Sequence, residues 1–474
     1  MKHTQKIQQL LDAKKKIFTD LNDEVWEYAE PRFAEHKSAA AHCRVMKAEG
    51  FRVKQGLAGE ETAFIAEYGS GKPVIAILGE YDALAGLSQQ ADLTEEKPVV
   101  EGGQGHGCGH NTLGAAGAAA ITALKDYMEE NHLPGTIRFY GCPAEENAGG
   151  KAFLVRDGLF DDVDICLAYH PSNVNIADQG GSLANFRVFY TFKGTSSHAA
   201  SAPHMGRSAL DACELMNVGC NYMREHMIPE ARVHYAYTNV GGTAPNVVQC
   251  DAQLLYAMRA PTVTQVKELY DRLEKIAKGA AMMTETEVTI RQVAAYSNTI
   301  ANDVINERYE TYLEEFLPLD YTDEEMDYLR KFQAIIPERE KKNLANQAQQ
   351  LFGRTEKAKE FAAMPIWNFH AKNLKGGKGS NDVGDVSWVC PTSIVRTACY
   401  AAGTTGHHWT KTAQGKSSVC HKGMLLAAVV MACTAVDFLT NPQLVAQAKE
   451  NWLDRLGGET YPNPLPDDCK PEIW

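Results

Sequence analysis

A thiol and an imidazole held one residue apart between glycines form a metal-binding arrangement, and Gly105-His106-Gly107-Cys108-Gly109-His110-Asn111 supplies one. Residues 113–131 behind it are Ala-rich with helical patterning, so the loop delivers its side chains at a helix N-terminus. Loops at that position cradle anions or hold metals. The dinucleotide fingerprint would need glycine where His110 stands, and no Gly-Lys-Ser/Thr follows, so neither nucleotide motif fits. Metal chemistry leads. Glu145, Glu146, His170 and one of His407 and His408 extend the donor set, which suits zinc or manganese rather than calcium. These donors outnumber the four ligands of one tetrahedral ion, which suggests two ions and a glutamate left free for proton transfer.

Those side chains need a frame. Residues 74–78 are a continuous apolar run that suits a strand buried on both faces, and it leads into Gly79-Glu80-Tyr81-Asp82. A second strand at 136–140 ends in Cys142-Pro143-Ala144-Glu145-Glu146-Asn147, and a third at 164–169 stops at His170-Pro171. Strands alternating with helices predict an α/β fold with a mostly parallel sheet flanked by helices. The acidic and imidazole residues then lie just past the strands' carboxyl ends, where such sheets bind ligands. Residues 183–293 change pattern to β-α-β-β-α-β, with strands at 183–192, 232–240, 247–258 and 287–293. That order is an α+β ferredoxin-like unit. The expected division is catalytic residues 1–180, an inserted domain at 181–294, to which the resemblance given below assigns lid and dimerisation roles, and catalytic residues 295–474. Residues 303–363 read as charged helices and 375–384 as a Gly-rich substrate-side or hinge loop.

Composition narrows the function classes. With 44% hydrophobic and 23% charged residues the chain has globular composition, and 474 residues exceed one ordinary core. A net charge of −13 argues against nucleic acid or an anionic membrane as partner. The apolar run at 424–436 is too short to span a bilayer and reads as a buried helix. Residues 1–16 are polar, unlike a signal peptide, and the twelve cysteines show no Cys-x-x-Cys pair. A cytoplasmic location with reduced cysteines is the expectation.

Gly79-Glu-Tyr-Asp-Ala-Leu84, His106-Gly-Cys-Gly-His-Asn111, Pro143-Ala-Glu-Glu146 and His170-Pro171 resemble the dinuclear aminoacylase and carboxypeptidase G superfamily. Cys108-Gly109-His110 is similar to its amidohydrolase branch, which includes hippurate and indole-acetyl-amino-acid hydrolases. Residues 379–388, Gly406-His-His-Trp409 and Ala413-Gln-Gly-Lys-Ser417 resemble the members of that branch that cleave p-aminobenzoyl-glutamate.

The resemblance implies two divalent ions, manganese or zinc, held by Cys108, His110, Glu146, His170 and His407. It implies Glu145 as general base, and Asp82 behind a ligand imidazole. It also implies that His198, in Gly194-Thr-Ser-Ser-His-Ala199, reaches a partner subunit's site to support the oxyanion, and that Asn246 and Arg259 contact substrate. Arg259 would take the glutamate carboxylate. The implied reaction is hydrolysis of an N-acyl amino acid amide, p-aminobenzoyl-glutamate first. The implied assembly is a homodimer through the inserted domain, with a related second subunit as an option. Other N-acyl amino acids, a dipeptide, or non-catalytic binding of an amino acid conjugate are the alternatives. Asn111 departs from the aspartate of many relatives, and Glu80 stands where other branches place a histidine ligand. Asp382 is open between a role behind the ligands, in a substrate loop, or in an Asx turn.

Overall fold

The computed structural model describes residues 2–146, 148–179, 181–374 and 379–473. Part of the Gly-rich loop expected at 375–384, and Asn147 of the 142–147 motif, therefore lie outside the described residues. Eleven strands form two sheets among the described residues. They are β1 (Arg52–Leu57), β2 (Glu60–Ser70), β3 (Val74–Glu80), β4 (Gly135–Cys142), β5 (Ile165–Ser172) and β6 (Ile176–Ala177). The rest are β7 (Ala184–Lys193), β8 (Arg232–Asn239), β9 (Asp251–Ala260), β10 (Glu287–Tyr296) and β11 (Thr392–Ala398).

The larger sheet has the order β1-β2-β4-β3-β5-β11-β6. Its centre, β4-β3-β5-β11, is parallel, while β2 and β6 pair antiparallel at its flanks. All seven residues of β3 are buried, as a strand covered on both faces requires. The helices His3–Tyr28, His110–Asn131 and Ser418–Thr440 fill one layer against it, sharing a core that includes Phe18, Ile121, Val430 and Ile77. Ser418–Thr440 is longer than the 424–436 run suggested and has the mean hydropathy of a membrane span (1.9). It is also the central helix of this core: Met424, Val430 and Phe438 are fully buried.

The smaller sheet, β10-β7-β9-β8, is antiparallel throughout and carries the helices Ala209–Met223 and Val263–Thr284 on one face. Chain order β7-helix-β8-β9-helix-β10 with this strand order is the split β-α-β unit, so the α/β class with an inserted α+β element holds. Residues 247–250, expected as strand, instead form a link in which Val248 N–H donates to Ser197 O at 3.0 Å. The β1–β2 hairpin and β11 were not expected from sequence.

Candidate metal centre

The parallel strands end at one place. Asp82 follows β3, Glu145 and Glu146 follow β4, His170 lies near the end of β5, and the segment after β11 brings in His407. Between them sits the Gly-rich loop. Gly109 adopts φ 87°, and a Cβ there would collide with the Tyr400 hydroxyl. Only glycine lets Cys108 and His110 turn to the same point from the mouth of helix His110–Asn131.

Three overlapping groups of donors result: Cys108 with His110 and His170, Cys108 with Glu146 and His407, and Glu80 with His110 and Glu145. Within each group the donor atoms lie inside 4.8 Å of one another. Cys108 Sγ is 3.4 Å from His170 Nε2, and His407 Nε2 is 3.1 Å from Glu146 Oε1. His110 Nδ1 is fixed by Asp82 Oδ1 at 2.7 Å, which turns its Nε2 into the cluster. That Nε2 is buried and makes no hydrogen bond, although Glu80 Oε2 lies 3.3 Å away and Glu145 Oε2 3.8 Å away. An orphaned ring nitrogen whose partner nitrogen is locked by a carboxylate is the orientation a metal ligand takes. Thiolate, imidazole and carboxylate donors in two groups sharing Cys108 fit two divalent ions.

Electrostatics agree with that fit. Burial opposes ionisation of Cys108, yet the charges of His110, His170 and Lys411 hold its thiol well below the ordinary range. Burial pushes His170 down to about 4, leaving a neutral imidazole. Burial, then the negative charge of Cys108, raises Glu146 to about 7. Burial together with Glu146 and Glu80 holds the Glu145 carboxyl well above its usual value. His407 rises to about 10 through hydrogen bonding to Cys108 and Glu146. This crowd of mutually repelling carboxylates and trapped protons is what a divalent cation relieves.

Buried groups hold the loops in place. The Glu146 N–H donates to Asp82 Oδ2 at 2.8 Å, and the Ala144 N–H donates to Glu35 Oε1 at 2.9 Å. Ala144 itself sits at φ 58°, so two carboxylates grip a left-handed turn that aims Glu145 and Glu146. Glu35 had no signal in the sequence beyond being one acid among many. Lys151 is fully buried and donates from Nζ to Glu80 Oε1 at 2.5 Å and to Asp382 Oδ1 at 2.7 Å. Asp382 Oδ2 also accepts from the Lys151 N–H at 3.0 Å. Glu80 is thus committed to a lysine, and Asp382 supports the site rather than an Asx turn.

The remaining expected residues separate. His106 Nε2 bonds to Val25 O at 3.0 Å, and the residue belongs to none of the three donor groups. Asn111 is buried against Asn22 Oδ1 and Gly415 O, with no part in the cluster. His408 accepts the Thr410 N–H through Nδ1 as the cap of helix Trp409–Gln414, leaving His407 to face Glu146. A cavity of about 420 Å³ opens over Cys108, Glu145, Glu146, His170 and His407, and Arg259 also lines it. His198 and Asn246 are exposed on the inserted unit, adjacent to each other, and do not line this cavity within one chain.

A sequence profile of Peptidase family M20/M25/M40 matches residues 76–318. The chain belongs to that family. It is 42% identical over 472 residues to one subunit of the p-aminobenzoyl-glutamate hydrolase of Escherichia coli (strain K12), a match that spans 98% of each chain. The fold is similar to that of an aminobenzoyl-glutamate utilization protein from Klebsiella pneumoniae, with TM-score 0.61 at 18% identity over 92% of this chain and 98% of that one. It is also similar to a dinuclear metal binding peptidase of family M20 from Bacillus subtilis, with TM-score 0.53 at 17% identity over 90% and 99%. The M20 chain is a hydrolase of the metal-dependent amidohydrolase type, and the family resemblance read from its motifs holds.

Proposed function

We propose that this M20 chain hydrolyses the amide of an N-acyl amino acid, with p-aminobenzoyl-glutamate the leading substrate. The observation that carries the reading is the convergence of Cys108, His110, Glu146, His170 and His407 beside a cavity that Glu145 and Arg259 also line. Full-length similarity to a component of a p-aminobenzoyl-glutamate hydrolase supports the acyl group.

Cys108, His110 and His170 would hold one ion, and Cys108, Glu146 and His407 the other, with Cys108 between them. Manganese or zinc suits this mixed set. When bound, a pair of such ions acidifies a water and polarises the scissile carbonyl. Asp82 keeps His110 in the tautomer that presents Nε2. Glu145 takes the proton from the attacking water and returns it to the departing amine; its burial tunes it for that exchange. Arg259 binds the amino acid's carboxylate through its planar fork. His198 and Asn246, which stand outside this chain's own cavity, would act at the site of a partner chain in a homodimer formed through the inserted domain at 181–294. The catalytic domain is then residues 1–180 and 295–474. A related second subunit fits the naming of the Escherichia coli relative as one component of a hydrolase. Twelve free cysteines support a reducing, cytoplasmic setting.

The test is Glu145→Gln on manganese- or zinc-loaded protein. Loss of p-aminobenzoyl-glutamate turnover by about 10²–10⁴-fold with metal content unchanged is expected. Turnover near that of the parent with both ions bound would remove Glu145 from the chemistry.

A further inference from the structure

The inserted sheet turns one face to its helices and the other to the cavity. On β7, Ala184, Phe186, Val188 and Tyr190 pack into the core of that unit, so strand alternation sends Asn185 and Arg187 to the opposite face. Asn185 pairs across with Arg259 on β9 and with Tyr296 on β10, and Arg187 is the next residue along the same face. Arg187 and Arg259 are diagonal neighbours, a relationship that separates residues by about 7–8 Å. Arg187, Arg259 and Tyr296 all line the cavity.

This wall is short of partners. Asn185 is 1% exposed, and neither its Nδ2 nor its Oδ1 makes a hydrogen bond. The Nε atoms of Arg187 and Arg259 are likewise buried without a hydrogen bond. Arg259 has a 3.5 Å contact from Nη1 to Ser380 Oγ, and among the described residues neither guanidinium forms an ion pair. Burial, then the charge of Arg187, lowers Arg259 from its ordinary value. Two like charges beside an unsatisfied amide are costly unless an anion occupies the space.

We propose that Arg187 receives a second carboxylate, that of the amino acid's side chain, and so selects conjugates of a dicarboxylic amino acid. The inference rests on the N-acyl amino acid reading, in which Arg259 takes the main-chain carboxylate. Glutamate carries two carboxylates separated by two methylenes and the α-carbon, which can span a diagonal pair of guanidiniums. Each planar fork offers two parallel N–H donors to one carboxylate. Asn185 lies between Tyr296 and Arg259 in the row beside Arg187, with its amide unpaired.

The experiment compares N-benzoyl-glutamate with N-benzoyl-glutamine, which differ only in the side-chain carboxylate against amide, on the metal-loaded parent and on Arg187→Met, Arg187→Lys and Arg259→Met. Arg187→Met should lower kcat/KM for the glutamate conjugate about 10–100-fold while leaving the glutamine conjugate within about threefold. Arg187→Lys should recover part of that loss, which separates charge recognition from a folding defect. Arg259→Met should lower both substrates together. Equal losses on both substrates in Arg187→Met would overturn the assignment. Calorimetric titration of glutarate against butyrate gives a second readout that needs no turnover. If the parent hydrolyses neither conjugate, the benzoyl group is not accepted and this titration decides the inference. A preference for glutarate that Arg187→Met abolishes supports it, and a preference left intact overturns it.

Discussion

Asp82 and His110 are joined by a 2.7 Å hydrogen bond from which the geometry of the whole centre follows. One oxygen of the fully buried carboxylate fixes the imidazole, and the other holds the Glu146 N–H at 2.8 Å. A single side chain thus sets the distance between the Gly-rich loop and the Glu145-Glu146 turn. Asp82→Ala should reduce metal affinity about 10–100-fold, because the tautomer and the loop spacing are lost together. Competition against a chelator of known affinity measures this; affinity within about twofold of the parent would contradict the role given to Asp82.

Cys108 belongs to two donor groups, whereas His170 and His407 each belong to one. Cys108→Ala should therefore weaken both ions, taking bound metal from about two per chain toward none, while His170→Ala and His407→Ala each remove about one. Elemental analysis after gel filtration distinguishes these patterns. If Cys108→Ala loses only one ion, the thiolate does not bridge.

Metal binding should release protons in a pH-dependent number. His407, raised to about 10, is protonated in the metal-free chain at neutral pH and must shed its proton to ligate, and the charges of Asp82 and Cys108 push His110 in the same direction. Glu146, at about 7, adds a further proton only below that pH. The sign follows: protons compete with metal, so affinity rises with pH. Release should be larger by roughly one proton at about pH 6 than at about pH 8.5. Calorimetry in buffers of different ionisation enthalpy counts it, and a pH-independent count would contradict the ligand role of Glu146.

Lys151 is a buried cation between two buried carboxylates, Glu80 and Asp382. Lys151→Met would leave both acids uncompensated, a loss of about 3–5 kcal/mol of stability by analogy with broken buried pairs. Chemical denaturation reads it directly. A variant as stable as the parent would show that the two acids protonate at little cost.

Pairing Glu145→Gln with His198→Ala tests the shared site. Each variant alone should be inactive. Randomly mixed protomers should recover about a quarter of parental activity, since half the dimers are mixed and each has one intact site. No recovery after verified exchange of protomers would place His198 outside the partner's chemistry.

Sequence made the parallel strands and their carboxyl-end donors visible because both leave local marks: the apolar run of β3, and glycines or prolines next to acids and imidazoles. The β1–β2 hairpin left none, since β1 is an edge strand with five of its six residues at least partly exposed. β11 escaped because Thr392–Ala398 is short and mixes polar residues with Ile394 and Val395. Lys151 lies 71 residues from Glu80 and 231 from Asp382, so only folding shows that Glu80 is already engaged. Arg187 was silent for a similar reason: an arginine in a strand acquires meaning when the opposite face is known to be core. The choice between His407 and His408 rested on resemblance, and geometry separates them by giving one a helix cap and the other a carboxylate.

The sheet order carries a consequence for biosynthesis. β11 lies beside β5, yet more than two hundred residues, including the whole inserted unit, separate them along the chain. His407 is later still. A ribosome therefore exposes Cys108, His110 and His170 long before the strand and loop that complete the centre emerge. On the assignment proposed above, Cys108, His110 and His170 would be able to hold one ion at that stage, whereas the second ion, which needs His407, would wait until the last part of the polypeptide has docked.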